Sequence, residues 1–512
     1  MNDHASLKVL YLSAEVVPFA KTGGLADVAG ALPKAIRVLG HDIRVAMPRY
    51  GRIDAKRFGL SPIVEAVAVP MDERTEQARI LGTTLGTGAG QTPIYFIDSS
   101  RYFDRQGIYM YPDDAERFIF FSRAAMEMCR ALNWQPDIIH ANEWQTALVA
   151  NWLKTVYSDD PFFAGTASLY TAHNLEYQGI FGQRVLEIAG LAEMGFIAHP
   201  ELAPDLNTIV DLVARGFLFA DVINTVSETY AHEVLTPAYG QRLDPILRDR
   251  RDRLYGILNG IDTELYDPAK DTELSAPFDA STIERKAANK AALQAEAGLS
   301  ASPAAPLVGM VSRLTDQKGL DLVGALAEAV VQQLGAQLVV MGTGEMRYHE
   351  MLTALARRYP GQVAVLLTFN RPLSQRIYGG SDIFLMPSRL EPCGLNQMVA
   401  MRYGCVPVVH ATGGLADTVS DYRPEDGEGN GFVFSPHDAM ALYTALVRAV
   451  ETYRHADEWA RLVRRCMVRD FSWEPSAQRY VDLYHRALAI HRQAPRGLSD
   501  YALREAKQEG SA

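Results

Sequence analysis

Short runs of valine, isoleucine, leucine and methionine recur along this chain. Each is followed by a polar or glycine-bearing loop and then by a stretch of helical periodicity. Six lie in the first half, at Val9–Ser13, Ile43–Met47, Ile94–Ile97, Asp137–His140, Ser168–Thr171 and Val222–Val226. Five lie in the second, at Leu307–Val311, Leu338–Met341, Val363–Leu367, Ile383–Met386 and Val406–Val409. Runs this apolar need cover on both faces, which a parallel sheet between two helical layers supplies. Two such series predict an α/β chain of two doubly wound, Rossmann-like domains facing each other. The 512 residues agree with this, because single cores stop growing at about 250–300 residues. In open α/β sheets, ligands bind beyond the carboxyl ends of the strands, so chemistry is expected in the loops that follow these runs.

The balance of 50 Lys+Arg against 61 Asp+Glu gives a net charge of −11, which argues against a duplex nucleic-acid binder. A phosphate-bearing small ligand is still compatible, because a site needs only local positive charge. Hydrophobic residues at 48% and charged residues at 22% exclude general disorder. Cys129, Cys393, Cys405 and Cys466 are too few and too scattered for a disulfide framework, and none forms a CxxC pair for a metal. The opening segment carries no convincing signal-peptide pattern, and no apolar run is long enough for a membrane span. A reduced, cytoplasmic protein with no membrane contact is expected. Nothing in the chain specifies an oligomeric state.

Glycine, asparagine and proline cluster at Gly256–Pro268, and the Pro/Ala-rich Ala301–Pro306 leads into the first strand of the second half. A helix is expected over Ser472–Ile490, carrying Tyr480, Leu483 and Tyr484. The expected division is 1–258, 259–474, a helix at 475–490 and a polar tail at 491–512.

The hexapeptide TGGLAD occurs at Thr22–Asp27, after the first strand, and again at Thr412–Asp417, after the VPVV strand. Glycine pairs let a backbone approach a ligand closely, and the following helix aims N–H groups at it. Two such turns in equivalent places favour ligand binding over chance likeness or tight packing. Lys21, just before the first turn, is a candidate for meeting a phosphate. Arg313 and Lys318, in SRLTDQKGLD after LVGMV, can hold the two charges of a diphosphate. Glu391 lies in a Pro- and Gly-bearing turn after an apolar strand, where a carboxylate can accept sugar hydroxyls or stabilise positive charge on a sugar carbon. The amides of Gly394, Leu395 and Asn396, at the start of the next helix, are candidates for binding an anion. His173, in YTAHNLEYQGIF, stands with Asn174, Tyr177 and Gln178 in the polar company of a carbohydrate site. HANEWQTAL adds Glu143, Trp144 and Gln145 after the DIIH strand.

Taken together, KTGGLADV, YTAHNLEYQGIF, ILNGID, VSRLTDQKG, PSRLEPCGLNQ, ATGGLADTV and DFSWE closely resemble bacterial glycogen synthases of the ADP-glucose-using type, relatives of plant starch synthases. The likeness runs from about Lys8 to about Leu488, nearly the whole chain. It implies a GT-B fold with the active site in the interdomain cleft and a final helix crossing back to the first domain. It implies transfer of glucose from ADP-glucose to the non-reducing 4-OH of an α-1,4-glucan, with retention. No cofactor is expected, and because no convincing DxD cluster follows a strand, cations and helix ends are expected in place of a metal.

Carried over residue by residue, the lysine of the family's K-x-G-G motif is Lys21, completed by Gly23 and Gly24, with Asp27 in the same turn. The diphosphate-binding cations fall on Arg313 and Lys318, the essential glutamate on Glu391 and the sugar-contacting histidine on His173. Asn259 is the asparagine of the LNG turn, and Phe369 stands where the family sets an aromatic ring against adenine. Gly394 and Leu395, with Thr412, Gly413 and Gly414, complete the expected substrate contacts. The amides of 394–396 and 413–415 are expected to receive the charge on departing ADP.

Two departures stand out. The family's frequent H-x-H-D-W reads His140, Asn142, Glu143 and Trp144, so glutamate replaces aspartate. The related E-x7-E signature would need a carboxylate at Val399. No residue is a clear nucleophile, which favours a front-face, oxocarbenium-like route over a covalent intermediate. A UDP-glucose-preferring glucan synthase is the alternative. An α-glucan phosphorylase would need a pyridoxal-phosphate lysine segment that this chain lacks. An NAD-dependent oxidoreductase would need G-x-G-x-x-G after the first strand. A silent glucan-binding protein has no use for Lys21, His173, Arg313, Lys318 and Glu391 together.

Overall fold

The computed structural model describes residues 6–197 and 199–493. The chain forms two compact units: the segment up to Gly260 together with the segment from Trp473 onward, and Ile261–Ser472.

The first unit is built on a nine-stranded sheet. Its strands are β1 (Lys8–Leu12), β2 (Asp42–Pro48), β3 (Ser61–Met71), β4 (Arg74–Leu85), β5 (Thr92–Asp98), β6 (Ile138–Asn142) and β7 (Ala167–Ala172). A small antiparallel pair, β8 (Ile180–Phe181) and β9 (Val210–Asp211), stands apart, and β10 (Val222–Thr225) and β11 (Leu254–Gly256) complete the main sheet. Its order is β11-β10-β7-β6-β1-β2-β5-β4-β3. Pairing is parallel from β11 to β5, and β4 is antiparallel to both β5 and β3.

All six runs expected in this half are strands. The β3–β4 hairpin was not expected, because it is a different kind of strand. Val67, Val69 and Met71 point inward while Ala66, Ala68 and Pro70 face water, so burial alternates although the residues from 66 to 71 are all apolar, and Pro62 and Pro70 obscure the strand pattern. The hairpin therefore extends an otherwise parallel sheet with an antiparallel edge.

The second unit carries a six-stranded parallel sheet of β12 (Leu307–Val311), β13 (Gln337–Met341), β14 (Val363–Leu366), β15 (Ile383–Met386), β16 (Val406–His410) and β17 (Phe432–Phe434). The order is β14-β13-β12-β15-β16-β17, with β12 between β13 and β15. That neighbourhood is where a doubly wound sheet reverses direction, and the loops after β12 and β15 emerge there together. The five expected runs are all strands, and only the short edge strand β17 is additional.

The last described helix, Trp473–Gln493, belongs to the first unit. Tyr480 and Tyr484 are fully buried, and the Tyr484 hydroxyl lies 2.9 Å from His140 Nδ1. Thr171 Oγ1 sits 2.8 Å from the other ring nitrogen of His140. Ser476 Oγ donates to the Leu258 carbonyl and Arg479 to that of Gly256, at 2.5 and 3.0 Å. His140 is thus a core histidine tying β6 to the terminal helix. The expected tail at 491–512 lies outside the described residues beyond Gln493.

Candidate active site

In the second unit, Lys318 Nζ lies 2.6 Å from Glu391 Oε2, and Ser388 Oγ donates to the same oxygen at 2.9 Å. Glu391 is buried in the loop after β15, and Lys318 ends a short turn, Asp316–Lys318, in the loop after β12. Adjacent strands at the reversal of the sheet therefore deliver a cation and a carboxylate to one point. Arg313, from the same loop as Lys318, is exposed and lies 3.3 Å from Gln317 Oε1.

The Glu391 loop is braced from several sides. His410 Nδ1 meets the Ser388 carbonyl at 3.0 Å, and His437 Nε2 meets that of Pro387 at 2.9 Å. The two rings pack edge to face with centroids 4.9 Å apart. A Cβ on Gly413 would lie 2.1 Å from the Glu391 carbonyl oxygen, and one on Gly414 would lie 2.0 Å from that of Cys393. The second TGGLAD turn therefore needs glycine to let the Glu391 segment pass. Two of its amides also make contacts within this unit. Gly414 N–H donates to the Glu391 and Pro392 carbonyls at 3.1 and 3.2 Å, and Leu415 N–H donates to Thr412 at 3.0 Å. Thr412 is buried. Gly394, with φ +71°, and Leu395 lead into the helix Asn396–Arg402. Phe369 is exposed in the loop after β14.

In the first unit, the first TGGLAD turn is organised around a residue that motif reading passed over. The buried carboxylate of Glu15 accepts the Thr22 and Gly23 amides, the Thr22 hydroxyl and the Tyr109 hydroxyl, the last at 2.6 Å. It acts as an internal anion before the helix Gly24–Val38. Its sequence signal was its place just after β1, the criterion that selected the other candidates. A Cβ on Gly23 would meet nothing within 4 Å, and Gly24 is exposed. Lys21 pairs with Asp27 at 2.6 Å.

His173 follows β7. Burial pushes its pKa down to about 3, so the ring is neutral. Its Nε2 lies 2.9 Å from Asn142 Oδ1. Asn142 has its own amide N–H committed to the Leu12 carbonyl at 2.9 Å, so its oxygen accepts and His173 donates from Nε2. The lone pair of this imidazole is therefore on Nδ1. Glu143 Oε1 accepts the amides of His173 at 2.6 Å and Asn174 at 3.2 Å. Burial pushes the Glu143 carboxyl up to about 8, those two amides pull it down, and Glu15 raises it. Asn259 is buried in this unit, and its Oδ1 has no hydrogen-bond partner among the described residues.

Among the described residues, no group of three His, Cys, Asp or Glu side chains is placed to hold a metal ion. No described helix is long and apolar enough to cross a membrane. No disulfide joins the four cysteines, all of which are buried.

Residues 8–249 match the family described as the starch synthase catalytic domain, and residues 297–465 match glycosyl transferases group 1. The glycogen synthase of Moorella thermoacetica is 47% identical over 489 residues, covering 95% of this chain and 98% of that one. The glycogen synthase of Desulforudis audaxviator is 46% identical over 493 residues, covering 94% and 97%. Among solved structures, the catalytic domain of starch synthase IV from Arabidopsis thaliana, bound to ADP and acarbose, superposes with a TM-score of 0.86. It is 35% identical and covers 95% of this chain and 100% of that one. Two Rossmann-like units with these strand orders, matched over nearly their full length, make this a GT-B glucosyltransferase, and the chain belongs to the glycogen synthase family.

Proposed function

We propose that this protein transfers glucose from ADP-glucose to the non-reducing 4-OH of an α-1,4-glucan, with retention at C1. The observation that carries the reading is the buried Lys318–Glu391 contact at the reversal point of the second sheet. A diphosphate leaving group needs cations where its charge develops, and a glucosyl cation needs a carboxylate beside it. The ADP in the Arabidopsis starch synthase IV structure supports adenine as the donor base, and the exposed Phe369 ring suits stacking on it.

In this reading the glucosyl C1–O bond breaks with its electron pair leaving on ADP. Arg313 and Lys318 take up that charge with the helix-start segments 394–396 and 413–415. Glu391 stabilises the positive charge on the sugar. The acceptor 4-OH attacks from the same face and passes its proton to the departing phosphate oxygen, which gives retention without a protein nucleophile. His173 accepts a sugar hydroxyl at Nδ1, and Lys21, Asp27, Gly23, Gly24 and Asn259 contribute substrate contacts from the first unit.

The test is incorporation of labelled glucose into a maltodextrin primer. Incorporation from ADP-glucose, abolished in Glu391→Ala, is expected. No incorporation from either ADP- or UDP-glucose would overturn the reading.

A further inference from the structure

We infer that Glu143 is a positioning residue that holds the His173–Asn174 turn through its backbone and does not act on the sugar as a charged group. The inference rests on the glucosyl-transfer reading and assigns one of its side chains a different task.

Three consecutive residues, Asn142, Glu143 and Trp144, grip the loop that carries His173. Asn142 accepts the His173 ring N–H, and Glu143 Oε1 accepts the two amides of His173 and Asn174. Trp144 presses on the far end of the loop. A Cβ on Gly179 would lie 2.8 Å from the indole, and the Phe181 ring centroid is 5.5 Å from that of Trp144. Each grip closes a different part of one loop, so the ring, the turn and the distal strand are fixed together.

The backbone at Glu143 shows that this arrangement is enforced. Its φ is +63°, a left-handed conformation unusual for a non-glycine residue and one that aspartate adopts more readily than glutamate. Its own amide donates to Thr171 at 2.9 Å, and its carbonyl accepts Thr146 N–H at 3.2 Å. The chain is therefore pinned on both sides of the unusual torsion. Glutamate is longer than the family's aspartate by one C–C bond, about 1.5 Å, and that reach brings Oε1 to the amides across from it.

Among the described residues, Glu143 has no ion pair, and the nearby carboxylate is Glu15. A buried group with no cation and a like charge beside it is poorly suited to working as an anion. It is well suited to working as a carbonyl acceptor, and a neutral amide side chain of the same length can do that task.

The experiment compares Glu143→Gln, which keeps length and loses charge, with Glu143→Asp, which keeps charge and loses length. Two quantities are read on the full chain: site-resolved hydrogen exchange at His173 and Asn174, and kcat and KM for ADP-glucose and maltodextrin. Glu143→Gln is expected to keep slow exchange and a kcat/KM within about threefold of wild type from about pH 6.5 to about 8.5. Glu143→Asp is expected to exchange those amides, and to lose kcat/KM, by about tenfold or more. If Glu143→Asp matches wild type while Glu143→Gln fails, the charge acts directly and the inference is wrong. If both match wild type, the grip does not matter and the inference is equally wrong. A wild-type protein inactive with both ADP- and UDP-glucose would overturn the glucosyl-transfer reading instead, and the exchange measurement would still decide the role of Glu143.

Discussion

Lys318 Nζ and Glu391 Oε2 lie 2.6 Å apart, each largely buried and each from a different loop of the second sheet. Breaking a contact of this kind leaves one charge desolvated without its partner. Glu391→Gln keeps a group that Ser388 can reach but removes the charge. It should lower kcat by about 10²-fold or more while leaving the circular dichroism spectrum unchanged. Near-normal turnover in steady-state assays would show that Glu391 does not serve the transition state.

The two TGGLAD turns look identical in sequence and should respond oppositely to alanine. Gly413→Ala, at the position equivalent to Gly23, forces a Cβ against the Glu391 carbonyl oxygen, 2.1 Å away, at a φ of +43°, and should cost about 2–4 kcal/mol of stability together with activity. Gly23→Ala meets nothing within 4 Å and should melt like wild type. Differential scanning calorimetry of the two variants separates a turn that must yield to protein from one that faces open space.

Stability should depend on pH through two groups, His173 and Glu143, with opposite signs. Burial lowers His173 to about 3, so the unfolded state binds the extra proton between the ordinary value of 6.5 and that value. Its contribution is complete above about pH 6.5 and is lost as pH falls toward 3. Burial raises Glu143 from 4.5 to about 8, so here the folded state holds the extra proton. That contribution is complete below about pH 4.5 and is lost as pH rises through 8, at up to about 1.4 kcal/mol per pH unit. Glu143→Gln removes the second slope, so its Tm relative to wild type should climb from about pH 5 to about pH 8. Parallel Tm curves for the two proteins would contradict this.

The terminal helix is anchored by hydroxyls on its buried face. Tyr484→Phe removes the partner of His140 Nδ1 without changing the packing shape. It should cost about 1–3 kcal/mol, read as a lower urea midpoint with an unchanged m-value. A midpoint equal to wild type would show that the His140 contact carries no stability.

The fold was legible where strands are buried on both faces, because such strands are apolar throughout; Leu307–Val311 and Ile383–Met386 coincide with their strands residue for residue. It was not legible at Ser61–Leu85, where only one face is buried, Pro62 and Pro70 interrupt the first strand, and Arg74, Glu76 and Arg79 interrupt the second. Motif reading selected Lys318 and Glu391, but not the 73-residue separation in sequence over which the sheet brings them into contact. It missed Glu15 because a lone carboxylate after a strand looks unremarkable until four donors converge on it. It read the second glycine turn as a ligand cradle, but not that Gly413 and Gly414 also leave room for Glu391 and Cys393 to pass beside them. Sequence names a glycine; only packing shows what occupies the space it leaves.

The central claim is the identity of donor and reaction together. Initial rates with ADP-glucose and UDP-glucose on one maltodextrin primer, with the anomer of the new linkage determined by NMR, test it most directly. The account predicts α-1,4 extension with ADP-glucose preferred by at least about tenfold in kcat/KM. Equal or greater efficiency with UDP-glucose, or a β-linked product, would contradict it.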